Sequence, residues 1–231
     1  MYFYGYDLTY FLFMIPCLIL SIYCSAKVNS TFNKYSKVAN RRGITGAQAA
    51  YQVLASNGVT GVRIEQVGGH LSDHFDPRTN TIRLSESVYN STSVAAVGVA
   101  AHEAGHAVQH AQGYMPNKIR SAIVPVANIG SRLSWVLILI GFLLPVQYNF
   151  VVTLGIAFFS LSVLFTLVTL PVEFNASNRA LATIQSTNLL YDDEYTGAKK
   201  TLSAAAMTYV AAAATAVAQL LRLILLANRR R

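Results

Sequence analysis

His102, Glu103 and His106 stand in the pattern H-E-x-x-H, inside an Ala/Val-rich stretch that reads as one long helix over residues 93–112. Residues four apart share a helix face, so both imidazoles can reach a single ion. Glu103 lies beside that face, where its carboxylate can take a proton from a water at the metal. The residue types and spacing therefore predict one Zn2+ ion on His102 and His106, with Glu103 as catalytic base. A catalytic zinc usually takes three protein ligands and leaves one position open. His110 continues the i+4 series, but it lies two turns from His102, about 12 Å along the axis. One ion cannot bridge that span, so His110 reads as a surface residue or a support for the site. The metzincin continuation H-x-x-G-x-x-H is excluded by Gln109 and Gln112.

Among the acids further along, Asp192, Asp193 and Glu194 read as the solvated first turn of a helix, with Lys199 and Lys200 beyond them in keeping with the helix dipole. Glu173 differs. It ends an apolar run, where an ionisable group is costly without a partner. Ala176 and Ala180, on nearly the same face, would let its helix come close to the one carrying His102. Glu173 is the expected third ligand.

The elements that must position these residues are of two kinds. Hydrophobic residues make up 53% of the 231 and charged residues only 12%, against about 25% charged in an ordinary globular chain. The deficit is uneven: residues 133–172 carry no formal charge, whereas residues 27–132 resemble a soluble segment. Residues 6–24 are long enough to span a bilayer, and without a basic leader they read as a retained anchor. Residues 123–146 and 150–172 are two further spans, and the short link between them makes them antiparallel neighbours. A fourth apolar run, 202–227, contains Arg222, which leaves its crossing open. Between the first and second spans, residues 45–57 read as a helix capped by Thr45 and Gln48 and stopped at Gly58. Residues 59–67 read as a strand, and 71–75 with 81–84 as a hairpin. The strand 81–84, just ahead of the metal helix, is expected to offer an edge to an extended substrate.

This predicts a mostly α integral membrane protein, with three to four membrane helices and a small α+β catalytic insert of zincin type. Its parts are an anchor (1–26), the insert (27–120), a membrane hairpin (121–172), a third-ligand helix with a polar segment (173–201) and a C-terminal apolar helix with a basic tail (202–231). The net charge of +8 gathers at the ends of apolar runs, at Lys27, Lys34, Lys37, Arg41, Arg42 and residues 229–231. That is the pattern of membrane topology and anionic headgroups, not of nucleic-acid binding. The basic residues around the first two spans, Arg120 and Arg132 included, place the insert in the cytoplasm. A crossing fourth helix would put the basic tail outside, against the same rule. Cys17 and Cys24, seven residues apart in the first run, share a helix face and read as packing residues, with no disulfide framework.

Four segments, 71–77, 82–85, 100–110 and 170–177, together resemble the YugP-type neutral zinc metallopeptidases, membrane-bound bacterial proteins, and the resemblance runs along the whole chain. More distantly, H-E-x-x-H followed by E-F-x-A resembles the HtpX and CAAX-prenyl endopeptidases, gluzincins whose equivalent Glu is a zinc ligand. The resemblance thus implies the same role for Glu173. Those relatives usually carry Asp four residues later, where this chain has Ser177, which would replace a carboxylate behind a zinc-bound His with a weaker partner. The implied activity is hydrolysis of peptide bonds by zinc-activated water, at the plasma membrane of a bacterium, on membrane-associated polypeptides, with the site facing the cytoplasm. For the side chain that would face the developing oxyanion, the sequence offers His74, Arg179 and Tyr209 without choosing; His74, flanked by Asp73 and Asp76, also reads as a support for the hairpin. A peptidase tethered to the membrane but acting on soluble peptides is the nearest alternative. A non-catalytic scaffold with a structural zinc would have no use for Glu103, and a metal transporter would need ionisable residues inside several spans.

Overall fold

A computed structural model describes residues 8–69 and 72–230. Tyr6 and Asp7 at the head of the first apolar run, Leu71 at the head of the expected hairpin, and Arg231 of the basic tail lie outside the described residues. Among those described, the order is α1 (Leu8–Tyr35), α2 (Gly46–Ser56), β1 (Arg63–Val67), β2 (His74–Asp76), β3 (Thr81–Ser85), α3 (Glu86–Tyr89), α4 (Val94–Ala111), α5 (Met115–Leu143), a 3-10 turn (Val146–Tyr148), α6 (Asn149–Ser186) and α7 (Asp192–Arg229). Four stretches are helical, long and apolar enough to cross a membrane: Leu8–Tyr35, Met115–Leu143, Val146–Ser186 and Asp192–Arg229. The chain divides into two units, the first comprising Met1–Cys24, Ile119–Leu170 and Thr208–Arg231, the second Ser25–Lys118 and Pro171–Met207.

In the first unit, apolar helices pack through small residues, as expected where no hydrophobic effect separates helix from lipid. A Cβ on Gly141 would meet the Val152 side chain at 2.6 Å, and one on Gly155 would meet Ile138 at 2.7 Å, so α5 and α6 lie almost backbone to backbone. Ile138, Phe159 and Val163 form a cluster with Leu223 of α7. At the end of α7, Arg230 donates to the Gly141 and Leu144 carbonyls, the unsatisfied acceptors at the C-terminus of α5. The fourth apolar helix therefore runs to the same end of this unit as the α5–α6 turn. Arg222 stacks over the Tyr10 ring.

The second unit is built on α4. Ser93 caps it by accepting from the Ala96 N–H at 3.2 Å, and Gly113, at φ +66°, ends it in the left-handed conformation that glycine adopts at no cost. Its sequence is apolar nearly all round, the mark of a helix surrounded by protein. Val94, Val97, Ala100, Ala101, Ala104 and Val108 are buried against Val53 and Leu54 of α2, Ile82 and Leu84 of β3, and Ala180 and Ile184 of α6. The expected capping box on α2 is present, Thr45 and Gln48 exchanging hydrogen bonds. The sheet order is β1-β3-β2, with β3 parallel to β1 and antiparallel to β2. That corrects one expectation: β3 is the central strand, paired on both sides, and offers no edge to a substrate. Turn residues 76–80 are organised by Asp76, which accepts from the Arg78 N–H, the Thr79 hydroxyl and the Arg83 guanidinium. Those hydrogen bonds hold its carboxyl at a pKa of about 2.

Two further expectations change in detail. The expected helix carrying Glu173 is not a separate element: it continues the apolar run 150–172 in one helix, α6, which reaches Ser186 and buries Ala176, Ala180 and Ile184 at four-residue intervals. Nor is the first turn of α7 wholly solvated. Glu194 is buried, one oxygen accepting from the Arg41 N–H at 2.8 Å and the other from the Tyr191 N–H at 3.0 Å.

Candidate metal centre

On α4 the i+4 spacing brings the Nε2 atoms of His102 and His106 to 3.2 Å, with the rings nearly perpendicular. From α6, Glu173 directs its Oε2 to 3.3 Å from the first Nε2 and 3.4 Å from the second. α4 and the part of α6 from Pro171 onward belong to the second unit, and the reason they meet is local. A Cβ at Gly105 would lie 2.5 Å from the Ala176 carbonyl oxygen. Only a residue without a side chain lets α4 touch the backbone of α6 one turn beyond Glu173.

Three atoms that bind through lone pairs thus converge within 3.4 Å, buried or nearly so, an arrangement that repels itself unless a proton or a cation sits among them. The separations lie at or beyond the long end of the hydrogen-bond range and also suit a cation. A tetrahedron with bonds of about 2.0–2.1 Å, the usual zinc–imidazole length, has edges of about 3.3–3.4 Å, and the three observed separations match that edge. Two imidazoles and one carboxylate are also the donor set of a catalytic zinc with a position left open. Among the described residues, no other three His, Cys, Asp or Glu side chains group this way.

The far nitrogens of both rings are held as well. Ser177 Oγ lies 3.0 Å from His102 Nδ1, and Gln109 Oε1 lies 3.1 Å from His106 Nδ1. Glu103, also buried, follows His102 on α4. Burial opposes protonation of His106, but the hydrogen bond its ring donates to Glu173, the charges of Glu103 and Glu173 and the Gln109 contact together outweigh it. The His106 pKa is raised above its ordinary 6.5.

The remaining sequence candidates have partners of their own or lie in the other unit. Arg179 is engaged with its neighbours, donating to Asn175 at 2.7 Å and Gln112 at 2.5 Å and lying over the Tyr114 ring. His110 is exposed and tilted against the Phe75 ring at 5.7 Å between centroids. His74 is exposed on β2, with Nδ1 2.8 Å from the Ser72 carbonyl. Tyr209 is exposed and belongs to the first unit. The residue that sequence reasoning missed is Gln109, which counted only as a departure from the metzincin pattern. Its one signal was a polar amide in the buried register of an otherwise Ala/Val-rich helix.

Helices apolar and long enough to cross a membrane, together with a His102, His106 and Glu173 group that could hold a metal ion, point to a class, and comparison with known proteins gives the family. The chain belongs to the family described as "Putative neutral zinc metallopeptidase", whose model matches residues 10–228. It is 46% identical over 217 residues to the "Putative membrane protease YugP" of Bacillus subtilis (strain 168), an alignment covering 94% of this chain and 96% of that protein. No solved structure matches it.

Proposed function

We propose that this chain is a membrane-bound zinc endopeptidase that hydrolyses peptide bonds of membrane-associated polypeptides. The observation that carries the reading is the convergence of His102, His106 and Glu173 at zinc-ligand separations, with a buried carboxylate next in sequence to the first of them. Those three side chains would hold one Zn2+, which when bound supplies a Lewis acid that polarises a carbonyl and makes water acidic enough to attack near neutral pH. Glu103 accepts the proton that water loses as it adds to the scissile carbonyl. It then delivers that proton to the departing amine as the C–N bond breaks. The ring orientations set by Ser177 and Gln109 keep the metal-facing nitrogens in place throughout.

The membrane-associated substrate class is supported by the origin of the third ligand, since Glu173 stands on a helix that also contains a candidate span. Orientation toward the cytoplasm is supported by Lys27, Lys34, Lys37, Arg41, Arg42, Lys118 and Arg120, which follow the first apolar run or precede the second.

Purified full-length protein assayed for bound zinc and for proteolysis tests the reading. Glu103→Gln should retain zinc and lose about 10²–10⁴-fold in turnover, the usual worth of general acid–base assistance. Glu173→Ala should lose most of both. Full zinc retention in Glu173→Ala would remove it from the ligand set, and unchanged turnover in Glu103→Gln would sink the mechanism. A peptide anchored in the same vesicle should be cleaved faster than its soluble counterpart, and the reverse order would favour a merely tethered enzyme.

A further inference from the structure

Gln109 is fully buried, and its amide joins the two helices that carry the ligands. Its Nε2 donates to the Val172 carbonyl at 2.8 Å, immediately before Glu173, and to Asn175 Oδ1 at 3.0 Å. Its Oε1 faces His106 Nδ1. Oxygen and nitrogen of an amide side chain look alike, so their assignment must come from their partners. Here the partners leave no choice. The Val172 carbonyl can only accept, which fixes the Gln109 nitrogen toward α6 and its oxygen toward His106. Arg179 can only donate, and its Nε–H on Asn175 Oδ1 fixes the second amide the same way. With an oxygen opposite it, His106 Nδ1 carries a proton, so that when the ring is neutral its lone pair lies on Nε2, the atom on the Glu173 side. The Ser177 hydroxyl on His102 imposes no such choice, because it can donate or accept.

We infer that Gln109 is a positioning residue for the metal centre: from an anchor on α6 it locks His106 as the Nδ1–H tautomer and ties the placement of that ring to the backbone of the helix bearing Glu173. The inference rests on the zinc reading above. One polar side chain thereby sets both the tautomer of one ligand and its register with another, whereas most buried amides only satisfy backbone groups.

The test is zinc affinity of the full-length protein in detergent, by chelator competition, with the visible spectrum of the cobalt-substituted protein as a measure of ligand geometry. Gln109→Met keeps the length and removes the amide's hydrogen bonds to Val172, Asn175 and His106. With all three gone, zinc binding should weaken by about 10–100-fold, the usual effect of removing a partner behind a ligand, and the cobalt spectrum should change. Gln109→Glu keeps an acceptor for the Nδ1 proton and should recover part of that loss. Wild-type affinity and spectrum in Gln109→Met would overturn the proposal, as would equal losses in the two variants. If Gln109→Met does not fold, nitrogen NMR of His106 in the zinc-loaded wild type decides: a proton on Nδ1 with the metal on Nε2 is required, and the opposite arrangement overturns it. A wild-type chain that binds no zinc would overturn the metal reading itself, and with it this proposal.

Discussion

His106 carries two opposing demands, and its titration exposes both. A ligand must be deprotonated to bind zinc, yet without metal its environment of Glu173 and Glu103 favours the proton. Because the folded pKa lies above the ordinary value, the metal-free protein draws stability from protonated His106 that is fully present below about pH 6.5. That contribution is lost as pH rises through the raised pKa. Zinc binding runs the other way: the apparent affinity should fall as pH drops through the same interval, by about tenfold per unit below the raised pKa for one displaced proton. Chelator competition between about pH 8 and pH 6 measures this, and a flat affinity over that range would contradict it. At this scale the sequence was informative where helix periodicity alone dictates geometry, as at His102, Glu103 and His106. Glu173 needed the cost of a charge beside an apolar run together with family resemblance. Gln109 was out of reach, because its role depends on which carbonyl faces it across 63 residues of chain, and no local pattern encodes that.

At the scale of elements, the decisive contact is the one that a side chain would prevent. Gly105→Ala would push a methyl carbon into the Ala176 carbonyl oxygen, and α4 and α6 would have to part. Overpacking of this kind costs about 1–3 kcal/mol. The added expectation is a loss of zinc affinity, because separating these helices also separates His102 and His106 from Glu173. Thermal unfolding of the metal-free protein and zinc titration would report the two effects; a variant as stable and as tightly zinc-bound as the parent would show that the helices tolerate the gap. The element boundaries show what composition can and cannot tell. The caps at Thr45 and Ser93 and the stop at Gly113 are short-range chemistry, and such signals lie in the sequence itself. That a helix carries Glu173 and turns Ala176 and Ala180 to one face was readable from their spacing, but its end at Ser186 was not, because its later turns mix exposed polar residues with buried Ala180, Leu181 and Ile184. The alternation of residues 81–85 identifies a strand, but alternation does not name its neighbours, and so the central strand was mistaken for an edge.

For the whole molecule, the open question was the fourth apolar run, and a polar contact at its far end bears on it. Arg230 reaches the carbonyls that close α5, so a reporter fused after residue 231 and one inserted in the 145–148 turn should lie on the same side of the membrane. Reporters on opposite sides would mean that the last helix does not cross with its neighbours. Arg222 and residues 229–230 made that crossing look unfavourable in the sequence, since charge counting cannot see that Arg230 is occupied with helix-end carbonyls and Arg222 with the Tyr10 ring. The spacing of the converging side chains along the chain has a consequence for biosynthesis. Glu173 leaves the ribosome 67 residues after His106, roughly 3–13 s later at about 5–20 residues per second, and all of α5 is made in that interval. A nascent or truncated chain that ends before Glu173 carries the pentapeptide but not the full set of converging atoms, so the candidate metal site cannot be complete until α1, α5 and the apolar part of α6 have been synthesised.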